Sequence, residues 1–204
     1  VTRFIVFEGG EGAGKSTQSR TLADYLVARG HRVRRTREPG GTPAAEAIRA
    51  VLLDPANAGL DDRAEALLFA AARGDHVARV IRPALDAGEI VISDRYLDSS
   101  VAYQGVARDL GAQRVRDLSL WATGGLRPDL TIVLDIDPSL GLARVVGPDR
   151  LEAEPVEWHQ RVRQAFLDIA AEAPDRHLVL DGSRPAEDLA VEIAMAVSDL
   201  VGDP

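Results

Sequence analysis

Cysteine is absent from the 204 residues, aromatics make up 4%, and only one asparagine, Asn57, occurs. Without cysteine there is no disulfide framework and no thiolate metal site, which agrees with a reducing cytoplasm. With so few aromatics the core must be built from Ala, Val, Leu and Ile. A lone Asn57 in a Pro/Ala/Gly loop leaves no N-K-x-D motif for reading guanine. No apolar run approaches the roughly 20 residues of a membrane span. Nothing resembles a signal peptide, although the chain starts at Val1 and an initiator methionine can precede it. The formal net charge of −8 is the opposite of a nucleic-acid footprint. Any anionic ligand must then be drawn in by local arginines rather than by the overall field.

What is present is an ordinary globular balance, 46% apolar and 27% charged, enough for a proper core. Short apolar or strand-like runs occur at Phe4–Phe7, Arg32–Thr36, Ile90–Ser93, Leu130–Ile136 and His177–Leu180. Helical patterns lie between them, over Lys15–Arg29, Pro43–Leu53, Arg63–Ala87, Asp98–Val106, Ala112–Ala122, Pro155–Glu172 and Pro185–Leu200. This alternation predicts an α/β sandwich of about five parallel strands with helices on both faces. Strands so covered should be almost wholly apolar. No repeat, linker or low-complexity tract divides the chain, so residues 1–204 read as one domain.

The stretch "GGEGAGKST" (Gly9–Thr17) follows the first strand and opens the first helix. It satisfies G-x-x-x-x-G-K-[ST]. Gly9, Gly10, Gly12, Ala13 and Gly14 would let backbone N–H groups converge on an anion without side-chain clash. Lys15 would reach the β- and γ-phosphates, Ser16 would ligate Mg²⁺, and the helix that begins at Lys15, with Thr17 in its first turn, points its positive end at the same charge. With glycine near 7% of residues, a chance match is expected in on the order of 1% of chains this long. The strand before and the helix after make an incidental turn rarer still. The fold expected is therefore P-loop NTPase-like. No L-S-G-G-Q run and no room for a motor or effector domain leave a small P-loop kinase as the best reading. A non-catalytic nucleotide switch is the alternative of a different class.

Asp94 and Arg95 follow directly on the third strand, where open α/β sheets bind ligands, and an arginine fork suits a phosphate. Arg49 flanks the buried stripe of its helix. Phe69 and Arg73 are spaced i, i+4, as are Ser100 and Gln104 with Tyr103 beside them. Residues so spaced share a face and can offer an aromatic plate and polar tips to one planar base. Core packing is the competing explanation for Phe69.

The runs "TREPGGT" (Thr36–Thr42), "LLFAAAR" (Leu67–Arg73), "DRYLDSSVAYQG" (Asp94–Gly105), "RPDLTIVLDI" (Arg127–Ile136) and "DRLE" (Asp149–Glu152) resemble bacterial thymidylate kinases in order and spacing. The resemblance spans essentially the whole chain. It implies transfer of the γ-phosphoryl group of MgATP to dTMP, giving dTDP. A related nucleoside monophosphate or deoxynucleoside kinase is the alternative on the same scaffold. It further implies that Phe69 stacks on thymine and that Arg73, Ser100 and Gln104 read its edge. Tyr103 would pack under the deoxyribose, Arg49 and Arg95 clamp the acceptor phosphate, Glu11 hold the 3′-OH, and Asp94 organise Mg²⁺. A cytoplasmic homodimer, paired through helices near Pro43–Leu53 and Arg63–Ala87, is implied as well. The adenine contact is expected near Gly182–Arg184.

One departure stands out. In this family a basic residue from the cradle loop or from a lid supports the transferring phosphoryl group, and the loop position is Gly12 here. The charge should then come from the lid segment around 143–155, which holds only Arg144 and Arg150. Arg150 is the expected contact. An ion pair within "DRLEAE" is its alternative, and a longer lid lacking residues between Val145 and Asp149 in this sequence is another.

Overall fold

The computed structural model describes residues 2–147 and 149–202. Five parallel strands form one sheet in the order β2-β3-β1-β4-β5. They are β1 (Phe4–Gly9), β2 (Val33–Arg37), β3 (Ile90–Asp94), β4 (Leu130–Asp135) and β5 (His177–Asp181). Nine α-helical segments accompany them among the described residues. These are α1 (Lys15–Ala28), α2 (Pro43–Leu53), α3 (Asp62–His76), α4 (Arg82–Asp86), α5 (Leu97–Ser100), α6 (Ala112–Ala122), α7 (Pro138–Leu142), α8 (Val156–Glu172) and α9 (Ala186–Val201).

Alternation along the central strands sends side chains to two separate cores. Ile5 and Phe7 of β1 join Ile90, Ile92, Ile132 and Leu134 against Leu22 and Leu26 of α1 and Ile193 and Val197 of α9. Phe4 and Val6 join Val91 and Val133 against Leu52 of α2, Phe69 of α3, and Val162 and Phe166 of α8. Helices therefore cover both faces. Apolar strands are confined to β1, β3 and β4. At the edge, β2 ("VRRTR") is half-exposed, and Arg34 pairs with Glu89 at 3.0 Å instead of entering a core. Charge on an edge strand discourages pairing with other chains.

The segment expected as one helix over Arg63–Ala87 is α3 and α4 joined by a π-helical stretch, Val77–Ile81. Likewise, the segment expected over Asp98–Val106 is α5 followed by a π-helical stretch, Val101–Ala107. The short α7 has no counterpart in the sequence reading. Pro138 opens it and the Asp137 carboxylate caps it by accepting from the Ser139 N–H.

Chain order places the cleft. β1 is central, with β3 on one side and β4 on the other. The turns leaving the carboxyl ends of β1 and β3 thus lie side by side, where ligands of such sheets bind.

Candidate active site

The turn after β1 packs closely against neighbouring backbone. Gly9 (φ +129°) lies where a Cβ would come within 2.3 Å of the Leu134 carbonyl oxygen. Gly12 (φ +64°) lies where a Cβ would come within 2.0 Å of the Gly141 carbonyl oxygen in α7. Position 12 therefore has no room for the arginine that a cradle loop can carry. Gly14, left-handed at φ 93°, starts α1. The Lys15 ammonium donates to the Gly10 carbonyl at 2.6 Å. Burial pulls its pKa below the usual lysine value, and the Arg95 charge adds to the effect.

The turn after β3 delivers Asp94 and Arg95. Ser16 Oγ donates to Asp94 Oδ2 at 2.5 Å, bringing a hydroxyl and a carboxylate together beside the cradle. Arg95 is left-handed (φ 70°) and donates to Glu11 at 2.7 Å, Ser99 Oγ at 3.1 Å and the Gly9 carbonyl at 3.2 Å. Tyr103 donates to the same Glu11 oxygen at 2.5 Å. Burial works to raise the Glu11 carboxyl. Arg95, Lys15 and the Tyr103 hydroxyl outweigh it and hold the pKa at about 2. Beneath this turn Glu8 accepts from the Tyr96 and Ser99 N–H groups and from Ser99 Oγ. Burial, helped by Asp98, pushes its pKa up to about 7.

These turns open onto a cavity of about 480 Å³. Its walls include Glu11 to Thr17 of the cradle, Arg49 of α2, Phe69 and Arg73 of α3, Asp94 and Arg95, and Ser100, Tyr103 and Gln104. The wider π-helical turn lets the adjacent Tyr103 and Gln104 both face it. Arg49 donates to the Pro39 carbonyl at 3.0 Å. Arg73, only 2% exposed, donates to Glu38, Ser119, the Tyr96 carbonyl and Ser100. Four of its five N–H groups are thus engaged within the protein. The sequence reading had it as a donor to the ligand, and one N–H remains for that. Gly182 lies where a Cβ would come within 3.5 Å of the Ala13 carbonyl oxygen, so the loop after β5 abuts the cradle.

Arg150 does not line the cavity. It is buried, its Nη2 touches Glu65 Oε2 at 2.6 Å, and its Nε donates to the Leu52 carbonyl at 2.8 Å. The partner is Glu65 of α3, not a carboxylate within "DRLEAE". Arg144 reaches the cradle in its place, donating to the Gly12 carbonyl at 3.1 Å. The expected lid at 143–155 includes Pro148, which lies outside the described residues. Gly9 and Gly10 shape the cradle from behind and do not line the large cavity.

The sequence reading missed the carboxylates behind the site. Glu8 stands alone in an apolar strand, Glu38 lies inside "TREPGGT" where it binds Arg73 and His76, and Glu65 is one helical turn before Phe69. Glu65, Phe69 and Arg73 continue one i, i+4 series along α3, a signal present in the spacing.

The glycine-rich turn with Lys15 and Ser16 thus opens onto a cavity lined by Phe69, by Arg49 and Arg95, and by the buried Ser100 and Gln104. The family model described as thymidylate kinase matches residues 7–193. The chain belongs to the thymidylate kinase family. A thymidylate kinase of Leifsonia xyli subsp. xyli is 56% identical over 194 residues, 93% of this chain and 91% of that one. One from Deinococcus radiodurans is 51% identical over 199 residues, 96% of each. The crystal structure of a thymidylate kinase from Ehrlichia chaffeensis superposes with a TM-score of 0.79 at 33% identity, covering 96% of this chain and 98% of that one. No helix among the described residues is long and apolar enough to cross a membrane.

Proposed function

We propose that the large cavity is the dTMP site and the cradle the MgATP site of an enzyme that phosphorylates dTMP to dTDP. As a member of the thymidylate kinase family, the chain is an ATP-dependent nucleoside monophosphate kinase. The observation that carries the reading is the Arg95–Glu11–Tyr103 cluster, which links the cradle directly to the second anion site. Neither another monophosphate kinase nor a non-catalytic switch is favoured by the family match.

In this reading Phe69 stacks on the thymine. The uncommitted Arg73 N–H meets a ring carbonyl, and Ser100 and Gln104 read the remaining edge. Tyr103 lies under the deoxyribose and leaves no room for a 2′-OH. Glu11, ionised at neutral pH, accepts from the 3′-OH through Oε2, since Arg95 and Tyr103 both bind Oε1. Arg49 and Arg95 hold the acceptor phosphate.

The cradle N–H groups and Lys15 hold the β- and γ-phosphates of ATP. Ser16 Oγ and Asp94 Oδ2 suit Mg²⁺, which takes one or two protein oxygens and completes its shell with phosphates and water. When bound, the ion neutralises charge on the phosphates. An anionic dTMP oxygen attacks the γ-phosphorus in line while the bond to the ADP oxygen breaks. No base is needed, because the attacking oxygen carries no proton. What the protein supplies is positioning and charge, and Arg144 takes the lid role that the sequence reading gave to Arg150.

The protein works in the cytoplasm as one domain, residues 1–204, with the lid around 143–155. It binds neither nucleic acid nor membrane. It pairs as a homodimer through α2 and α3, where Val51 and Leu67 are exposed. Adenine is met by the loop after β5, at Gly182–Arg184. The test is MgATP-dependent ADP release over dTMP, dUMP, dCMP, AMP, GMP and thymidine. Turnover concentrated on dTMP is expected, and equal rates across the panel would overturn the assignment.

A further inference from the structure

Behind the base-facing wall lies a buried cluster that the phosphoryl transfer does not use. Glu65 of α3 is fully buried. Its Oε1 accepts from Gln104 Nε2 at 2.9 Å and lies 3.5 Å from Arg108 Nε, while its Oε2 touches Arg150 Nη2 at 2.6 Å. Facing two guanidinium groups, this carboxylate offers acceptors only. A primary amide beside it must therefore turn its NH₂ toward it, because the opposite flip would set carbonyl against carboxylate. The flip leaves Gln104 Oε1 as the other end of the amide, and among the described residues it accepts no hydrogen bond.

We infer that Glu65 is a specificity-determining positioning residue, which locks the Gln104 amide so that its carbonyl, not its NH₂, is offered to the pyrimidine edge. The inference rests on Gln104 being a base-reading residue. A carbonyl there accepts from the N3–H of thymine or uracil and opposes the bare N3 of cytosine, itself an acceptor. Sites that hydrogen-bond a substrate group discriminate strongly, because the mismatch leaves a buried polar group unpaired. Glu65 touches no substrate in this arrangement and acts through Gln104. Arg150, packed on its other oxygen and on the Leu52 carbonyl, keeps the carboxylate from swinging away.

The decisive variant is Glu65→Gln. Its own carbonyl is claimed by Arg150, which lies 2.6 Å from the Oε2 position, so its NH₂ takes the Oε1 position, faces Gln104 and reverses that amide. Steady-state kcat/KM is measured for dTMP, dUMP and dCMP. Values for dTMP and dUMP, whose reading edges are identical, should fall together. The dCMP-to-dTMP ratio should rise about tenfold, the effect of one reversed hydrogen bond. Glu65→Asp, which keeps an acceptor-only group, should hold the ratio near that of the parent. An unchanged ratio in Glu65→Gln, with all three substrates falling equally, overturns the inference and reduces Glu65 to support of the fold. Gln104→Leu separates this failure from the other. If it keeps the parent ratio, Gln104 does not read the base and both statements fall. If it loses the ratio while Glu65→Gln keeps it, only the positioning role falls. Should Glu65→Gln not fold, the Gln104 side-chain NH₂ signals of the ¹⁵N-labelled parent decide. Signals nearly unmoved by dTMP are expected of an NH₂ that stays on Glu65. A large shift, as from an NH₂ donating to the base, overturns the inference.

Discussion

Replacing the two lid arginines one at a time should separate stability from catalysis. Arg150 is 4% exposed at its side chain and paired with a Glu65 that has no exposure at all. Breaking a buried pair from one side typically costs 3–5 kcal/mol, because the other charge is left behind. Glu65 keeps Gln104 and a distant Arg108, so the low end, about 3 kcal/mol, applies to Arg150→Ala. For a chain of this size that lowers Tm by roughly 6–12 °C. Well below its melt, the variant should keep kcat within about threefold, since its guanidinium packs on Glu65 and the Leu52 carbonyl and does not line the cavity. Arg144 is exposed and touches the cradle by one bond to the Gly12 carbonyl. Surface replacements of this kind change stability by about 0.5 kcal/mol or less, so Arg144→Ala should melt within about 2 °C of the parent. Its kcat should fall about 100- to 1,000-fold, as when one charge-stabilising donor is removed from a transition state. Differential scanning fluorimetry and coupled ADP release on both variants suffice. A stable but inactive Arg150→Ala, or an Arg144→Ala with parental kcat, would refute the assignment of the lid charge.

Three further outcomes follow from the same geometry. The buried Glu8 holds a proton up to about pH 7 in the folded chain, against 4.5 ordinarily, so the folded state binds more protons than the unfolded one across that window. Stability must fall as pH rises from 4.5 to 7, by roughly 3 kcal/mol from this residue. The unfolding free energy of Glu8→Gln should gain on the parent by that amount over the window and run parallel above it, and a pH-independent difference in urea melts would contradict this. Gly141 sits where a Cβ would come within 2.2 Å of the Glu11 carbonyl oxygen. Gly141→Ala must push α7 off the cradle, costing about 1–3 kcal/mol and lowering kcat, whereas a parental melt and kcat would show that the contact yields freely. Lys15 is the only lysine in the chain, so an amine-reactive reagent reports on it and the chain's amino terminus alone. MgATP should protect it, and Lys15→Met should lose about 100-fold or more in kcat, with unprotected labelling as the opposing result.

The motif spacings were legible because they are local. Strand, glycine turn and helix start lie within Phe4–Thr17, the i, i+4 pair Phe69/Arg73 lies within α3, and Ser100/Gln104 spans the junction of α5 with the π-helical stretch that continues it. These elements, and the five-strand sheet around them, needed only periodicity and turn chemistry. The apolar expectation failed at β2 because exposure depends on where a strand falls in the sheet order, which periodicity does not encode. The packing of Arg150 was illegible for a similar reason. Its partner Glu65 is 85 positions away, and nothing local distinguishes a buried guanidinium from one on a lid. The reason for Gly12 also lay across the chain, in the carbonyl of Gly141. Buried carboxylates such as Glu8 and Glu38 were readable as anomalies, but their partners were not.

The most direct test of the account is the fate of the γ-phosphorus of ATP. With γ-³²P-ATP, Mg²⁺ and dTMP, the account predicts label in dTDP, one for each ADP formed, and almost none in inorganic phosphate. Label released as phosphate at a rate indifferent to dTMP would mean that the cradle hydrolyses its nucleotide. The cavity beside it would then not be an acceptor site.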